Sequence, residues 1–141
     1  MQVLTVPARG DQLGRVMAFA DEFLEGMDCP LKTQMQIDLS IEELFVNIAN
    51  YAYPEKEGDA EIRISEADGV FSLTLIDSGV PYDPLQKPDP DVTLSAEKRQ
   101  IGGLGIYLVK KNMDTVSYCY EDGKNVLTIT KKIPSLSWPA D

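Results

Sequence analysis

Two Asp-Gly pairs, Asp68-Gly69 and Asp122-Gly123, each stand between two stretches in which apolar and polar residues alternate. Asp and Gly accept the backbone that a tight two-residue turn needs, so each pair reads as the tip of a β-hairpin. The first hairpin joins strands over residues 60–65 and 70–77, and the second joins 115–121 to 125–133. Residues 1–6 read as a further strand. Hairpin-linked strands build a mostly antiparallel sheet, and its apolar face must be covered by another layer. The cover is legible too. Leu13, Val16, Ala20, Phe23 and Met27 recur at helical spacing, and after a break at Asp28-Cys29-Pro30 so do Ile37, Ile41, Leu44, Ile48 and Ala52. This second helix should stop at Tyr53-Pro54, because proline drives its predecessor out of the helical region. A third helix is expected from about Leu104 to Met113. The expected fold is an α/β (α+β) two-layer sandwich, a mostly antiparallel sheet covered on one face by about three helices.

A chain of 141 residues with 43% hydrophobic content suits a single domain with a real core. We place that domain at 1–134 and a loose tail, with Trp138, at 135–141. From Gly79 to Ile101 periodicity is lost, and Pro81, Pro84, Pro88 and Pro90 interrupt the chain. Irregular stretches this long are often lids or binding loops. Thirteen Lys and Arg against 23 Asp and Glu leave a formal charge of −10, which argues against a nucleic acid partner. There is no apolar run long enough for a membrane span and no secretory start, so a cytoplasmic location is expected. Cys29 and Cys119 stand far apart outside any metal or redox motif. Histidine is absent altogether, which removes Ser-His-Asp triads and histidine metal sites. Phe71, Tyr118 and Tyr120 alternate along strands, as aromatic residues packing a core do.

Three short motifs carry chemistry. Glu43 and Asn47 sit one turn apart on the second helix; with Asn50 they fall within an arc of roughly 60° at about 100° per residue. An amide oxygen is a hard neutral ligand suited to magnesium, and a carboxylate one turn away can take a proton from an attacking hydroxyl. The same three residues would also suit an ordinary solvated face. Asp77-Ser78-Gly79 ends a strand. Its carboxylate can accept a hydrogen bond from an exocyclic amine such as adenine's, and Gly79 would let backbone approach a flat ring. It also fits a plain strand-ending turn. Gly102-Gly103-Leu104-Gly105 opens the third helix, where uncovered N–H groups and the helix dipole favour an anion. It is neither a Walker A loop nor a dinucleotide fingerprint.

In this order the motifs resemble those of the ATPase superfamily of gyrase, the ninety-kilodalton heat-shock chaperone, histidine kinases and MutL-type proteins. The resemblance is closest to the anti-sigma-factor serine kinases of the RsbW/SpoIIAB type. It runs from about Val3 to Ile133 and rests on Glu43-x-x-x-Asn47, Asp77-x-Gly79, and Gly103-Leu104-Gly105 followed by Leu108-Val109 and Met113-Asp114. The resemblance implies ATP and magnesium as cofactors. By it Glu43 is the catalytic base, Asn47 holds magnesium, and Asp77 reads adenine. Gly102, Gly103 and Gly105 receive the phosphates, with Asn50, Gly79 and Leu104 completing the ATP site under a lid. It further implies a homodimer that binds a sigma factor and phosphorylates a small anti-sigma antagonist on serine. Three positions depart from the pattern. Pro81 replaces the second glycine of Asp-x-Gly-x-Gly, Tyr51 stands where a histidine is often found, and no lid arginine matches in register. Arg99, with Lys98 beside it, is the candidate for that role. Two other functions fit the same residues: a non-catalytic ATP-binding switch for a partner protein, and a detached histidine-kinase catalytic domain acting on a histidine elsewhere.

Overall fold

The computed structural model of the chain describes residues 1–86 and 103–134. Five strands, β1 Gln2–Pro7, β2 Asp59–Ala67, β3 Val70–Asp77, β4 Thr115–Glu121 and β5 Lys124–Lys132, form one sheet in the order β1-β2-β3-β5-β4. Every neighbouring pair is antiparallel. Both expected hairpins are present. Asp68 and Gly69 have φ of 54° and 80°, and Asp122 and Gly123 have 55° and 76°. Positive φ at both central positions gives a turn whose twist matches that of the strands it joins. The register follows, with Ala67 opposite Val70 and Glu121 opposite Lys124.

Three helices, α1 Leu13–Gly26, α2 Leu31–Tyr51 and α3 Gly103–Asn112, cover the apolar face of the sheet. Alternation puts Ile62 and Ile64, Phe71, Leu73 and Leu75, and Leu127 and Ile129 into one core. The helices answer with Val16, Ala20 and Leu24, with Ile37, Ile41, Leu44 and Phe45, and with Ile106 and Val109. Each large side chain buried this way contributes about 1.5–3 kcal/mol of transfer free energy. Phe23 of α1 meets Phe71 of β3 edge to face, with ring centroids 5.9 Å apart.

Helix ends follow from local chemistry. Asp28, at φ 54°, closes α1. The Asp28 N–H donates to Glu25 O and the Cys29 N–H to Leu24 O, the paired bonds of a Schellman ending. Pro30, extended at φ −60° and ψ 146°, then starts α2 at Leu31. The helix thus begins a turn and a half before the first apolar residue of its expected stripe, leaving Leu31, Met35 and Leu39 exposed. The expectation for the strand aromatics needs correction at Tyr120. Phe71 is in the core and half-buried Tyr118 packs against it, but Tyr120 is exposed. Both tyrosines lie on β4, an edge strand that the helices scarcely cover.

Candidate nucleotide site

The apolar face of the sheet ends in a polar pair. Asp77, the last residue of β3, lies directly opposite Asn125 of β5, and both are buried. The turn after Asp77 is fastened to the C-terminus of α2. The Val80 N–H donates to the Ala52 carbonyl at 2.9 Å, satisfying an acceptor that the helix end would otherwise leave free. A Cβ at Gly79 would stand 2.2 Å from that same carbonyl oxygen. The need for glycine at 79 therefore comes from close packing on α2. Tyr53 adds a second fastening: its hydroxyl donates to Asp59 O at 2.7 Å and accepts from the Ser78 N–H at 2.8 Å. Burial, opposed by the Ser78 bond and assisted by Asp77 and Asp59, raises its pKa, so it stays protonated.

Between α2 and this end of the sheet lies a cavity of about 470 Å³, counting its open mouth. Leu44, Ile48, Leu75 and Leu127 make its walls apolar, and Asn47, Asp77 and Asn125 supply polar groups. Such a slot suits a flat, largely apolar ring read by a few fixed polar atoms. Asp77 Oδ1 accepts from the Gly79 N–H and from Asn125 Nδ2, each at 2.9 Å. Tyr51, where a histidine was the familiar residue, is 62% exposed and lines the same cavity.

A second groove, of about 670 Å³, runs between α2 and α3 and is lined by Glu43, Val46, Gly105 and Leu108 among others. Glu43 is half-buried. A Cβ at Gly105 would stand 2.1 Å from the Glu43 carboxyl carbon, so glycine at 105 lets the first turn of α3 lie against that carboxylate where it stands, and a side chain there would have to turn it aside. The free N–H groups at this helix start favour anions. Glu43 and Asn47, one turn apart on α2, thus line different hollows, Glu43 the one beside the start of α3 and Asn47 the one holding Asp77. Asn50 is exposed and lines neither. Among the described residues no group of three or more Asp, Glu or Cys side chains is placed to hold a metal. The Asn47 amide, which lines the first cavity, is a hard neutral oxygen donor of the kind magnesium accepts beside phosphate oxygens. Lys98, Arg99 and Gly102, like the tail with Trp138, lie outside the described residues, and Gly103 and Leu104 are placed by backbone alone.

Asn125 is the site residue that sequence reasoning missed. Its signal was available: counting back by two from Ile129 and Leu127 lands on 125, a core-facing position filled by an amide.

Residues 6–131 match the model of the histidine kinase-like ATPase domain. The chain belongs to that family. A serine/threonine-protein kinase, BtrW of Bordetella bronchiseptica, is 30% identical over 70% of this chain and 70% of its own length. The serine-protein kinase RsbW of Listeria monocytogenes is 28% identical over 69% of this chain and 64% of its own length. Among solved structures, the RsbU and RsbW domains of a Mycobacterium tuberculosis protein superpose with a TM-score of 0.62, covering 94% of this chain and 33% of that one at 15% identity. The Acinetobacter baumannii histidine kinase AdeS gives a TM-score of 0.51 at 15% identity, over 96% of this chain and 70% of that one. Both structures support the fold: an antiparallel five-stranded sheet with three helices is the histidine kinase-like ATPase architecture.

Proposed function

We propose that the chain is an ATP- and magnesium-dependent protein-serine kinase that acts as an anti-sigma factor. It binds a sigma factor and phosphorylates a small antagonist protein on serine. The observation that carries this reading is that Asn47 and Glu43, one turn apart on α2, each line a hollow, Asn47 beside Asp77 and Glu43 beside the start of α3. A base read by Asp77 in the first leaves its phosphates directed toward the start of α3, beside Glu43. Glu43 is the base that takes the proton from the incoming serine hydroxyl. The N–H groups that open α3 at Gly103 and Gly105 receive phosphate oxygens, with Gly102 and Leu104 alongside, and Arg99 is the candidate for the terminal phosphate. Magnesium, held by Asn47 and the phosphates, supplies charge neutralisation. Gly79 serves the site by holding Asp77 against α2, whereas Asn50, which lines neither hollow, is left without a role in this arrangement. Phosphoryl transfer asks mainly for positioning and electrostatics, which this arrangement provides.

The relatives named as serine-protein kinases support this chemistry, and the charge of −10 supports a protein partner over nucleic acid. No helix among the described residues is long and apolar enough to cross a membrane; the proposed location is the cytoplasm, and the proposed assembly a homodimer. Incubation with terminally labelled ATP and the candidate antagonist tests the reading. Label on an antagonist serine is expected. Tight ATP binding with no label on any antagonist would replace the kinase by an ATP-binding switch.

A further inference from the structure

Among the described residues, Asn125 makes four hydrogen bonds at the site, and they leave no polar atom of its amide spare. Its Nδ2 donates to Asp77 Oδ1 and to Val80 O, each at 2.9 Å. Its Oδ1 accepts from the Tyr82 N–H at 3.1 Å and from the Tyr118 hydroxyl. An amide has two donor hydrogens and two acceptor lone pairs, so all four are engaged. The orientation of the amide is dictated by these partners. Turned over, it would set its oxygen against a carboxylate and a carbonyl, and its NH2 against an N–H. Burial, and the charges of Asp83 and Asp77, raise the pKa of Tyr118 against the Tyr82 bond, which keeps its hydroxyl a donor.

We propose that Asn125 is a positioning residue that fixes the base-reading edge of Asp77 and thereby sets a preference for adenine over a 6-oxopurine. The inference rests on the adenine reading of Asp77 proposed above. With Oδ1 of Asp77 holding both Gly79 and Asn125, Oδ2 is the oxygen left to face a ligand. It is an acceptor only. An exocyclic amine complements it, whereas the carbonyl of hypoxanthine at the same ring position meets it lone pair to lone pair. Asn125 lines the cavity, but its two donor hydrogens and two lone pairs are taken by protein partners, so in this scheme it bonds no ligand atom. It acts through Asp77, and through Val80 and Tyr82, which form part of the cavity wall.

Two variants separate this role from mere support of the fold. Asn125→Asp replaces the donor facing Asp77 by an acceptor, and two carboxylates at that distance share one proton. The other titratable groups around them are Tyr118 and Tyr120 on β4, Tyr51 at the end of α2, Tyr53 just beyond it, and Tyr82 and Asp83 in the turn. Affinities for ATP and for inosine triphosphate are measured calorimetrically on the full chain at pH 6 and pH 8. Wild type is expected to favour ATP by about tenfold or more at both. Asn125→Asp should lose about tenfold in ATP affinity at pH 8 and regain much of it at pH 6, where the shared proton rebuilds the bridge. Asn125→Ser, which removes the donor without adding charge, should narrow the preference at both pH values. If both variants fold and keep the wild-type preference with no pH dependence, the assignment of Asn125 is overturned while ATP binding stands. If wild type itself binds no ATP, or does not distinguish the two nucleotides, the adenine reading falls and this inference with it.

Discussion

Glu43 and Gly105 lie 62 positions apart in sequence and touch in space. Any side chain at 105 must push the carboxylate aside, so Gly105→Ala is expected to lower serine phosphorylation about 100-fold, the scale of a misplaced reacting group. Base binding in the other hollow should survive. Phosphorylation of a serine antagonist, measured beside ATP affinity, checks both halves; an active Gly105→Ala would separate Glu43 from the helix start. Glu43→Gln keeps the shape and removes the base. It should leave ATP affinity within about twofold while lowering transfer at least 100-fold, the range of a lost general base. Gly79→Ala acts differently, since its Cβ would run into backbone. Here the expected outcome is a loss of about 2–3 kcal/mol of stability in urea unfolding. The sequence exposed Glu43, Asn47 and Asp77 because helix spacing and a strand end place them without further knowledge. It hid Asn125, whose role depends on cross-strand register with Asp77, and it hid the reason for Gly79, which is a carbonyl 27 residues earlier.

Elements were more legible than their junctions. The two Asp-Gly turns, the antiparallel pairs and three amphipathic helices follow from local pattern alone, because turn geometry and burial act within a few residues of each signal. The junction of α1 and α2 is where pattern falls silent. Asp21 of α1 and Asp38 of α2 each bury one carboxyl oxygen with no protein partner. Burial, a hydrogen bond to Asp21 and that residue's charge together push the Asp38 pKa up to about 7. Cys29 stands nearby, its thiol raised by burial and by Asp38. The sign follows from linkage. The folded protein holds this proton more tightly than the unfolded chain, so the stabilisation is complete below about pH 4 and is lost as the pH rises through about 7. A shift of this size would be worth about 4 kcal/mol in full burial; with the group partly open to solvent, ~1 kcal/mol is the expected scale. Asp38→Asn stays neutral throughout. It should match wild type at pH 5 and exceed its stability by ~1 kcal/mol at pH 8. Parallel stability profiles for the two proteins between those values would deny the pair its shared proton.

At the scale of the whole molecule, the cavity proposed to hold the base is walled by α2, β3, β5 and β4, through Leu44, Leu75, Leu127 and Tyr118. These segments are distant in sequence and meet only in the folded chain. A nucleotide bound there binds the native state alone, and mass action then stabilises the whole domain by about 2.7 kcal/mol at a hundred times Kd. For a chain near 150 residues, roughly 3 °C in Tm accompanies each kcal/mol, so saturating ATP should raise Tm by about 8 °C. The increment also divides the site into its parts. Asp77→Asn replaces an acceptor facing two donors and the ligand's amine, and should lose most of the shift with or without magnesium. Asn47→Ala leaves the base slot intact and removes the proposed metal ligand, so its shift with magnesium should fall to the value that wild type gives with ATP and a chelator. Equal wild-type shifts in magnesium and in chelator would take the metal away from Asn47. A retained shift in Asp77→Asn would take the base away from Asp77, because a ligand stabilising the domain from elsewhere has no reason to depend on that carboxylate.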